Sequence, residues 1–217
     1  QDEKEQRRLA AAASELRLMV SGSSALPQPI FRRWYEITNQ VLLERYGMTE
    51  IGMCLTFLPN SPKLPGYVGQ PLPNIDVRVD EDTNELLVKG PNVFRCYLNR
   101  PDATKEAFTK DGYFKTGDIV SIHPKTHDYR IEGRSSVDII KSSGYKISAL
   151  EIEPLLLQHD AVIECAVLGL PDDVYGEVVT AVIVTPENFP SNLSDLLSDH
   201  LEQKLPRYKH PRRYLFQ

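Results

Sequence analysis

The sequence contains few cysteines, and their positions argue against two common kinds of scaffold. Cys54, Cys96 and Cys165 are the three cysteines among 217 residues, and no C-x-x-C pair occurs. An odd number of widely separated cysteines argues against a disulfide framework and against a structural zinc site. The cysteine pattern therefore predicts a reduced, intracellular domain.

Long apolar runs and an excess of positive charge are also absent. The apolar stretch 178–184 has seven residues and includes Thr180, whereas a membrane helix needs about 18. Lys and Arg number 25 against 30 Asp and Glu, which gives a net charge of −5. We therefore expect no membrane span and no nucleic-acid binding, since the latter requires a basic surface.

Several local signatures of catalysis are missing as well. The chain has no G-x-x-x-x-G-K or G-x-G-x-x-G phosphate loop and no G-x-S-x-G nucleophile elbow. His123 and His127 are four residues apart, but Pro124 lies between them without a glutamate, which excludes an H-E-x-x-H zinc site. We expect both imidazoles to lie in a solvated turn.

Hydrophobic periodicity in the first half predicts a strand and a helix followed by short strands. The opening residues are rich in helix formers. Residues 16–20 are predicted as a short buried strand, 30–39 as a helix, and the proline-rich stretch 59–74 as a loop. The other predicted elements are a helix at 102–108 and strands at 41–46, 75–79, 85–89, 119–123 and 129–132.

The second half has the pattern of a small α+β sandwich. Ser148 and Glu151 match a capping box, which predicts a helix over 149–158. We therefore divide the chain into domains at 1–134 and 135–217. The other predicted elements are strands at 137–141, 145–147, 162–168 and 178–184, a final helix with a leucine stripe over 193–205, and strand propensity at 213–217.

One seven-residue segment, 44–50, combines an aromatic ring, a hydroxyl and a carboxylate in the order Glu-Arg-Tyr-Gly-Met-Thr-Glu. The Tyr46 ring can cover a purine, the Thr49 hydroxyl can donate to a phosphate oxygen, and the Glu50 carboxylate can hold Mg²⁺. The alternative interpretation is a strand end with a solvated glutamate.

Two later residues have related chemistry. Asp118 ends a Thr-Gly-Asp sequence before a predicted strand, and its carboxylate can accept hydrogen bonds from both hydroxyls of a ribose. Arg134 ends a Glu-Gly-Arg sequence and can hold a ribose or a phosphate through its guanidinium. The alternatives are an ordinary turn at Asp118 and a surface arginine at position 134.

Taken in order, these segments resemble the motifs of the adenylate-forming superfamily, which includes acyl-CoA synthetases, luciferase-like enzymes and peptide-synthetase adenylation domains. The resemblance covers nearly the whole chain. Only Glu85 and Leu86 of the family's G-E-L tripeptide are kept, with Asn84 in place of glycine. The other similar segments are 21–27 to SG(G/S)AxL, 46–50 to YGxTE, 89–97 to (R/K)GP…GY, 111–118 to DG(W/Y)xxTGD and 133–153 to GR…D…G…EIE.

The resemblance implies a fold that combines α/β and α+β parts. It implies the C-terminal portion of a large adenylation domain, made of a sheet and a small β-barrel, followed by a truncated small α+β C-terminal domain. It also implies an acid–thiol ligase of fatty acid metabolism, which converts a carboxylate and ATP to an acyl-AMP and then transfers the acyl group to coenzyme A. Mg²⁺ is the implied metal cofactor.

The resemblance also implies a role for individual residues. Tyr46 stacks on the adenine of ATP or AMP, while Asp118 and Arg134 bind the ribose. Ser136 corresponds to the hinge between the domains, although an extra residue before Asp138 leaves the choice within 136–138 open. The remaining assignments are Thr49 and Glu50 as catalytic residues, Glu50 as the Mg²⁺ ligand, and Ser143 and Gly144 at the channel for coenzyme A.

Within the superfamily, the 44–50 segment resembles that of malonyl-CoA synthetases. A small dicarboxylate carries a second anion that an apolar pocket would refuse, and Arg45 can pair with that anion bidentately. Ser21 and Gly22 are expected beside the same acyl pocket. We therefore expect malonate or methylmalonate as the substrate. Two alternatives stay open: a medium-chain acyl-CoA synthetase in which Arg45 contacts solvent, and a non-catalytic product that binds a nucleotide or a partner protein.

Two catalytic elements of the family have no counterpart in these 217 residues. They are a Ser/Thr/Gly-rich, lysine-containing loop around the ATP phosphates and a C-terminal lysine that assists adenylation. We expect the 217 residues alone to be inactive, because both elements stabilise the charged transition state. The resemblance implies a mitochondrial matrix location, and without it the composition favours the cytoplasm.

Overall fold

A computed structural model describes residues 3–58 and 61–217, which divide into two compact units. The first unit ends at Ile131, and the second comprises Glu132–Gln217. This division of the chain lies three residues before the boundary predicted at 134. No helix in the described ranges is both long enough and apolar enough to cross a membrane.

Three helices belong to the first unit: α1 (Glu3–Ser14), α2 (Gln28–Thr38) and α3 (Pro101–Ala107). Helix α2 begins directly after Pro27, with another proline in its first turn, where a missing N–H costs no hydrogen bond. It ends at Asn39, which adopts a left-handed conformation and donates its N–H to the Tyr35 carbonyl. The predicted helix at 30–39 is confirmed, with its start two residues earlier.

The first sheet of this unit has the strand order β1-β2-β3-β4. Its strands are β1 (Val20–Ser21), β2 (Leu43–Met48), β3 (Gly52–Thr56) and β4 (Gln70–Pro71). Strand β1 pairs parallel with β2, whereas β2–β3 and β3–β4 are antiparallel.

Two predictions fail around this sheet. The strand predicted at 16–20 is reduced to β1, and Leu16, Leu18 and Val20 are 43%, 44% and 40% exposed rather than buried. The apolar pattern of this segment has no covering layer among the described residues, so it does not produce a buried strand. Strand β4 interrupts the loop predicted at 59–74, of which residues 59 and 60 lie outside the described residues.

The second sheet has the order β5-β6-β7-β8. Its strands are β5 (Asp76–Val79), β6 (Glu85–Lys89), β7 (Phe114–Ile122) and β8 (Tyr129–Arg134), the last of which continues into the second unit. A bridge between Gly69 and Tyr129 joins this sheet to the β4 end of the first. The two sheets enclose one core, formed by Ile51, Cys54, Leu55, Val68, Leu86, Val88, Phe114 and Val120.

The Thr-Gly-Asp sequence at 116–118 lies inside β7 rather than in a turn before a strand. The strand predicted at 119–123 therefore begins earlier in the chain than expected. Gly117 adopts a φ of 75° where the β6–β7 register shifts, and its N–H donates to the Glu85 carboxylate at 2.8 Å. The glycine therefore allows a bulge, and the strand continues through it.

The second unit is a five-stranded sheet with two helices. The sheet order is β10-β9-β12-β11, and β13 pairs parallel with β12. The elements are β9 (Ile139–Ser142), β10 (Tyr145–Ser148), α4 (Ala149–Leu156), β11 (Glu164–Asp172), β12 (Gly176–Val184), α5 (Leu193–Glu202), a 3₁₀ turn at Arg207–Lys209 and β13 (Arg213–Phe216). Both helices contribute apolar side chains to the core that covers the sheet, which confirms the α+β character.

The capping box predicted at the start of α4 does not form, although the helix does. Ser148 makes no side-chain cap, and its hydroxyl instead donates to the carbonyl of Glu132. The Glu151 carboxylate forms an ion pair with Lys209 at 2.5 Å instead of returning to the helix start. Contacts that are distant in sequence therefore replace the local cap at both residues.

The leucine stripe of α5 generates a prediction about stability. Leu197 is fully buried, whereas its neighbour Leu196 is 37% exposed on the same helix. Leu197→Ala is expected to lower the free energy of unfolding by about 2–5 kcal/mol, because it removes buried methyl groups and leaves a cavity. The matched Leu196→Ala control is expected to cost about 0.5 kcal/mol or less. Urea unfolding measures both, and equal losses would contradict this assignment of the core.

Candidate functional site

A hydrogen bond between two distant residues forms the centre of the candidate site in the first unit. The Tyr46 hydroxyl, on β2, donates to Asp118 Oδ2, on β7, at 2.6 Å. Asp118 is only 5% exposed. Burial, and secondarily the Asp118 carboxylate, raises the pKa of Tyr46 well above its usual value, so the hydroxyl stays protonated and donates. The structure thus brings together two of the predicted nucleotide-binding residues.

The position of Asp118 depends on the residues that precede it in β7. The Thr116 hydroxyl donates to the Leu86 carbonyl at 2.7 Å and accepts the Asp118 N–H at 3.1 Å. Asn84, at the glycine position of the partly kept G-E-L tripeptide, has a φ of 62°. Asparagine tolerates this left-handed conformation better than most residues, so the substitution retains the turn that leads into β6.

Thr49 and Glu50 lie in the tight turn between β2 and β3. The Ile51 N–H closes the turn on the Met48 carbonyl at 3.1 Å. A Cβ at Gly47 would lie 2.0 Å from the Gly52 carbonyl oxygen, so only glycine fits at this position. The two glycines therefore form the turn that presents the exposed Thr49 and the half-buried Glu50.

Glu50 has a partner that the sequence did not reveal. The Tyr97 hydroxyl donates to Glu50 Oε1 at 3.0 Å, and the Phe94 N–H donates to the Glu50 carbonyl at 2.8 Å. In the sequence, Tyr97 stands out only as part of the 89–97 motif. No local pattern links it to a residue 47 positions earlier.

Arg45, Ser21 and Gly22 also lie together. Strand β1 pairs with β2 so that Ser21 lies opposite Glu44, next to Arg45. A Cβ at Gly22 would lie 3.1 Å from Arg45 Cγ and 3.2 Å from the Arg45 carbonyl oxygen. The backbone at position 22 thus approaches the arginine closely, and the Arg45 side chain is exposed.

The neighbouring Glu44 is a buried residue without a predicted role. Because successive strand residues face opposite sides, Glu44 is 7% exposed while Arg45 faces solvent. Burial raises the pKa of Glu44, and backbone N–H groups of Leu26 and Gly66 oppose the rise by donating to its carboxylate. Glu44 therefore connects β2 to the 21–27 segment and to the loop before β4. The sequence contains no local signal for this burial, because Glu44 and Arg45 are adjacent charged residues.

In the second unit, Arg134 ends β8 and begins a short turn. The Arg134 N–H donates to Asp138 Oδ2 at 2.8 Å, and the Asp138 N–H donates to the Arg134 carbonyl at 2.8 Å. A Cβ at Gly133 would lie 2.6 Å from Asp138 Cβ, which explains the glycine before Arg134. The Arg134 side chain is exposed, and Ser136 lies within the turn.

Ser143 and Gly144 form the two-residue turn between β9 and β10. Their φ angles are 50° and 82°, and two positive φ values are typical of the type I′ turns that suit β-hairpins. Both residues are exposed, and the Ser143 N–H donates to the Tyr175 carbonyl at 2.8 Å. The predicted hairpin is confirmed, and a role at a channel for coenzyme A stays a prediction.

The donor set at Glu50 fits one kind of metal ion. Among the residues that the structure describes, no group of three or more His, Cys, Asp or Glu side chains lies close enough to hold a metal. Mg²⁺ commonly binds through one or two carboxylates together with phosphate oxygens and water. The single, half-buried carboxylate of Glu50 therefore suits a Mg²⁺ ion that arrives with a phosphate ligand.

Two family models match the chain and define its class. The AMP-binding enzyme model matches residues 1–98, and the AMP-binding enzyme C-terminal domain model matches residues 151–217. The order of the two models agrees with the order of the two units. The chain belongs to the AMP-binding enzymes of the adenylate-forming superfamily.

Two similar curated proteins are malonate–CoA ligases. The chain is 47% identical to a malonate–CoA ligase of Arabidopsis thaliana, over 95% of this chain and 36% of that protein. It is also 47% identical to the human mitochondrial malonate–CoA ligase ACSF3, over 82% of this chain and 36% of that protein. The chain therefore spans about a third of the length of these curated relatives.

A solved structure supports the fold. The ATP-bound MatB of Rhodopseudomonas palustris is similar with a TM-score of 0.83 and 34% identity, over 93% of this chain and 41% of that one. The mixed α/β fold of the superfamily, predicted from the motifs, is confirmed.

Burial of two of the three thiols generates a prediction about their reactivity. Burial raises the pKa of Cys54, on β3, to about 12 and that of Cys165, on β11, to about 12, whereas Cys96 is exposed. Because the thiolate is the reactive form, brief iodoacetamide treatment at pH 8 should label Cys96 alone. Raising the pH to 9 should not recruit the other two, since that pH remains far below both values. Peptide mass mapping measures this, and labelling of Cys54 at the rate of Cys96 would contradict the structure.

Proposed function

We propose that these residues belong to an ATP-dependent acid–thiol ligase that forms malonyl-CoA or methylmalonyl-CoA through an acyl-AMP intermediate. The observation that carries the proposal is the 2.6 Å contact between Tyr46 and Asp118, which joins an aromatic ring and a carboxylate from different strands. A nucleoside needs both groups, one for the base and one for the ribose. The family membership and the names of the similar proteins support the same activity.

In this proposal Asp118 accepts hydrogen bonds from the ribose hydroxyls of ATP and AMP, and the Tyr46 ring covers the adenine. The Tyr46 hydroxyl occupies Asp118 Oδ2 in the structure described above. Binding of a ribose would exchange this bond for one from a ribose hydroxyl, so the carboxylate keeps a donor throughout. A buried carboxylate is stable only while it is hydrogen-bonded.

Thr49 and Glu50 would act on the phosphates next to the nucleoside. Thr49 is exposed on the turn and has a hydroxyl that can donate to a phosphate oxygen. Glu50 would hold Mg²⁺ together with those oxygens, and the ion would neutralise part of the phosphate charge. Positioning by fixed dipoles and charges is the main source of catalysis in reactions with charged transition states.

Arg45 would select the acyl substrate. Its exposed guanidinium lies beside Gly22, whose missing side chain leaves the arginine close to the 21–27 segment. One carboxylate of malonate would react with ATP while the other pairs with Arg45 bidentately. Ser21 and Gly22 would border the same pocket.

The second unit would serve the thiol-transfer step. We propose residues 1–134 as part of the AMP-binding domain and 135–217 as its C-terminal domain. In that assignment Arg134 contacts the ribose, Ser136 acts as the hinge, and Ser143 and Gly144 border the channel for coenzyme A. The mitochondrial names of vertebrate relatives support a mitochondrial location for the whole protein.

The ribose contact is testable by substitution of Asp118 in the full-length protein. Asp118→Asn is expected to weaken AMP binding about 10- to 100-fold, because hydrogen bonds to a charged group contribute about 1.5–3 kcal/mol. Asp82→Asn, in an exposed turn of the same unit, is the matched control and should leave AMP binding unchanged. Isothermal titration calorimetry measures both. An Asp118→Asn variant that binds AMP normally would contradict the proposed pocket.

Substrate selection is testable through Arg45. Arg45→Ala is expected to lower kcat/KM for malonate by about 30-fold, equivalent to about 2 kcal/mol, because the second carboxylate would lose its ion pair. The value for butyrate, which has no second carboxylate, should change little. Arg33→Ala, exposed on α2, provides the control. Carboxylate-dependent ATP–pyrophosphate exchange measures these rates. Retention of the malonate preference would contradict the role of Arg45 and favour a medium-chain substrate.

A further inference from the structure

The segment from Asn92 to Tyr97 contacts the turn that presents Glu50 at three separate points. Asn92 Nδ2 donates to the Ile51 carbonyl, and the Phe94 N–H donates to the Glu50 carbonyl at 2.8 Å. The third contact is the 3.0 Å hydrogen bond from the Tyr97 hydroxyl to Glu50 Oε1. This segment therefore holds the backbone carbonyls of Glu50 and Ile51 and also the side chain of Glu50.

The segment from Asn92 to Tyr97 is itself packed against the protein interior. The Phe94 ring packs edge-on against Tyr97 at 4.7 Å and against the buried Phe114 at 5.4 Å. A Cβ at Gly90 would lie 2.7 Å from Asn92 Oδ1, so a larger residue at position 90 would displace the Asn92 side chain that donates to the Ile51 carbonyl. The 89–97 motif is therefore packed against the core through Phe94. The proposed function assigns no role to this motif.

The Tyr97 bond distinguishes the two oxygens of the Glu50 carboxylate. Oε1 accepts from Tyr97, and Oε2 has no hydrogen-bond partner among the described residues. The Tyr97 hydroxyl is the donor in this bond, because an ionised carboxylate only accepts hydrogen bonds. The carboxylate is therefore held in one orientation by one oxygen while the other is available.

We propose that Tyr97 is a positioning residue for the Mg²⁺ that accompanies ATP. Its hydroxyl fixes Glu50 so that Oε2 faces the incoming ion, and Asn92 and Phe94 hold the backbone of the same turn. This inference depends on the proposed role of Glu50 as the metal-binding carboxylate. It assigns to the 89–97 motif the task of orienting a residue that lies far away in sequence. Hydrogen-bonded partners of metal ligands commonly change metal affinity when they are removed.

The test uses Tyr97→Phe in the full-length protein and calorimetric titration with ATP, once with excess Mg²⁺ and once with a chelator. The variant is expected to reduce the tightening of ATP binding by Mg²⁺ about tenfold, and to leave metal-free ATP binding within about twofold. Tyr113→Phe removes a hydroxyl–carboxylate bond of the same kind, to the exposed Asp76, and serves as the matched control. It should behave as the unaltered protein in both titrations.

A double-substitution cycle separates positioning from a general loss of structure. In a Glu50→Gln background, the additional Tyr97→Phe change should alter the effect of Mg²⁺ by less than about twofold, because the hydroxyl acts through the carboxylate. Equal losses in both backgrounds, or an equal loss of metal-free ATP binding, would overturn the inference. So would a Tyr97→Phe variant with a normal response to Mg²⁺. Failure of the unaltered protein to bind ATP would instead contradict the proposed function itself.

Discussion

A single hydrogen bond, from the Tyr46 hydroxyl to the Asp118 carboxylate, determines the chemistry available in the first unit. Asp118 is almost completely buried, and a carboxylate in such a place requires donors. The tyrosine supplies one while its own burial keeps it protonated. Because the two residues lie on strands from different sheets, the bond also fixes the sheets against each other at the site. A ribose hydroxyl that donates to the same carboxylate would replace the hydrogen bond from the Tyr46 hydroxyl with one of the same kind.

The surrounding residues show how short strands present reactive groups. Gly47 and Gly52 allow the turn that carries Thr49 and Glu50, and Gly117 allows the bulge that places Asp118 inside a strand instead of after it. In both cases the glycine is required by a close approach or by a positive φ, and the functional side chain lies within two residues of it. The site therefore depends on backbone geometry that few other residues could adopt.

The sequence predicts most of the regular elements but few of the contacts among them. Helix α2 and strand β6 follow from local periodicity and turn residues, because each is determined by its own side chains. Leu16 and Leu18 were misassigned because burial depends on a neighbouring layer, which the local pattern does not contain. The same limit applies to the Glu50–Tyr97 contact and to Ser148, whose hydroxyl bonds to Glu132 rather than to its own helix. Motif order indicated the family, while the pairing of residues required the structure.

The central claim is that Tyr46 and Asp118 form one nucleoside pocket. The most direct measurement is a crystal structure of the full-length protein with AMP bound. We expect the two ribose hydroxyls within hydrogen-bonding distance of the Asp118 carboxylate and the adenine against the Tyr46 ring. A nucleotide bound elsewhere, with the bond between Tyr46 and Asp118 unchanged, would contradict the account.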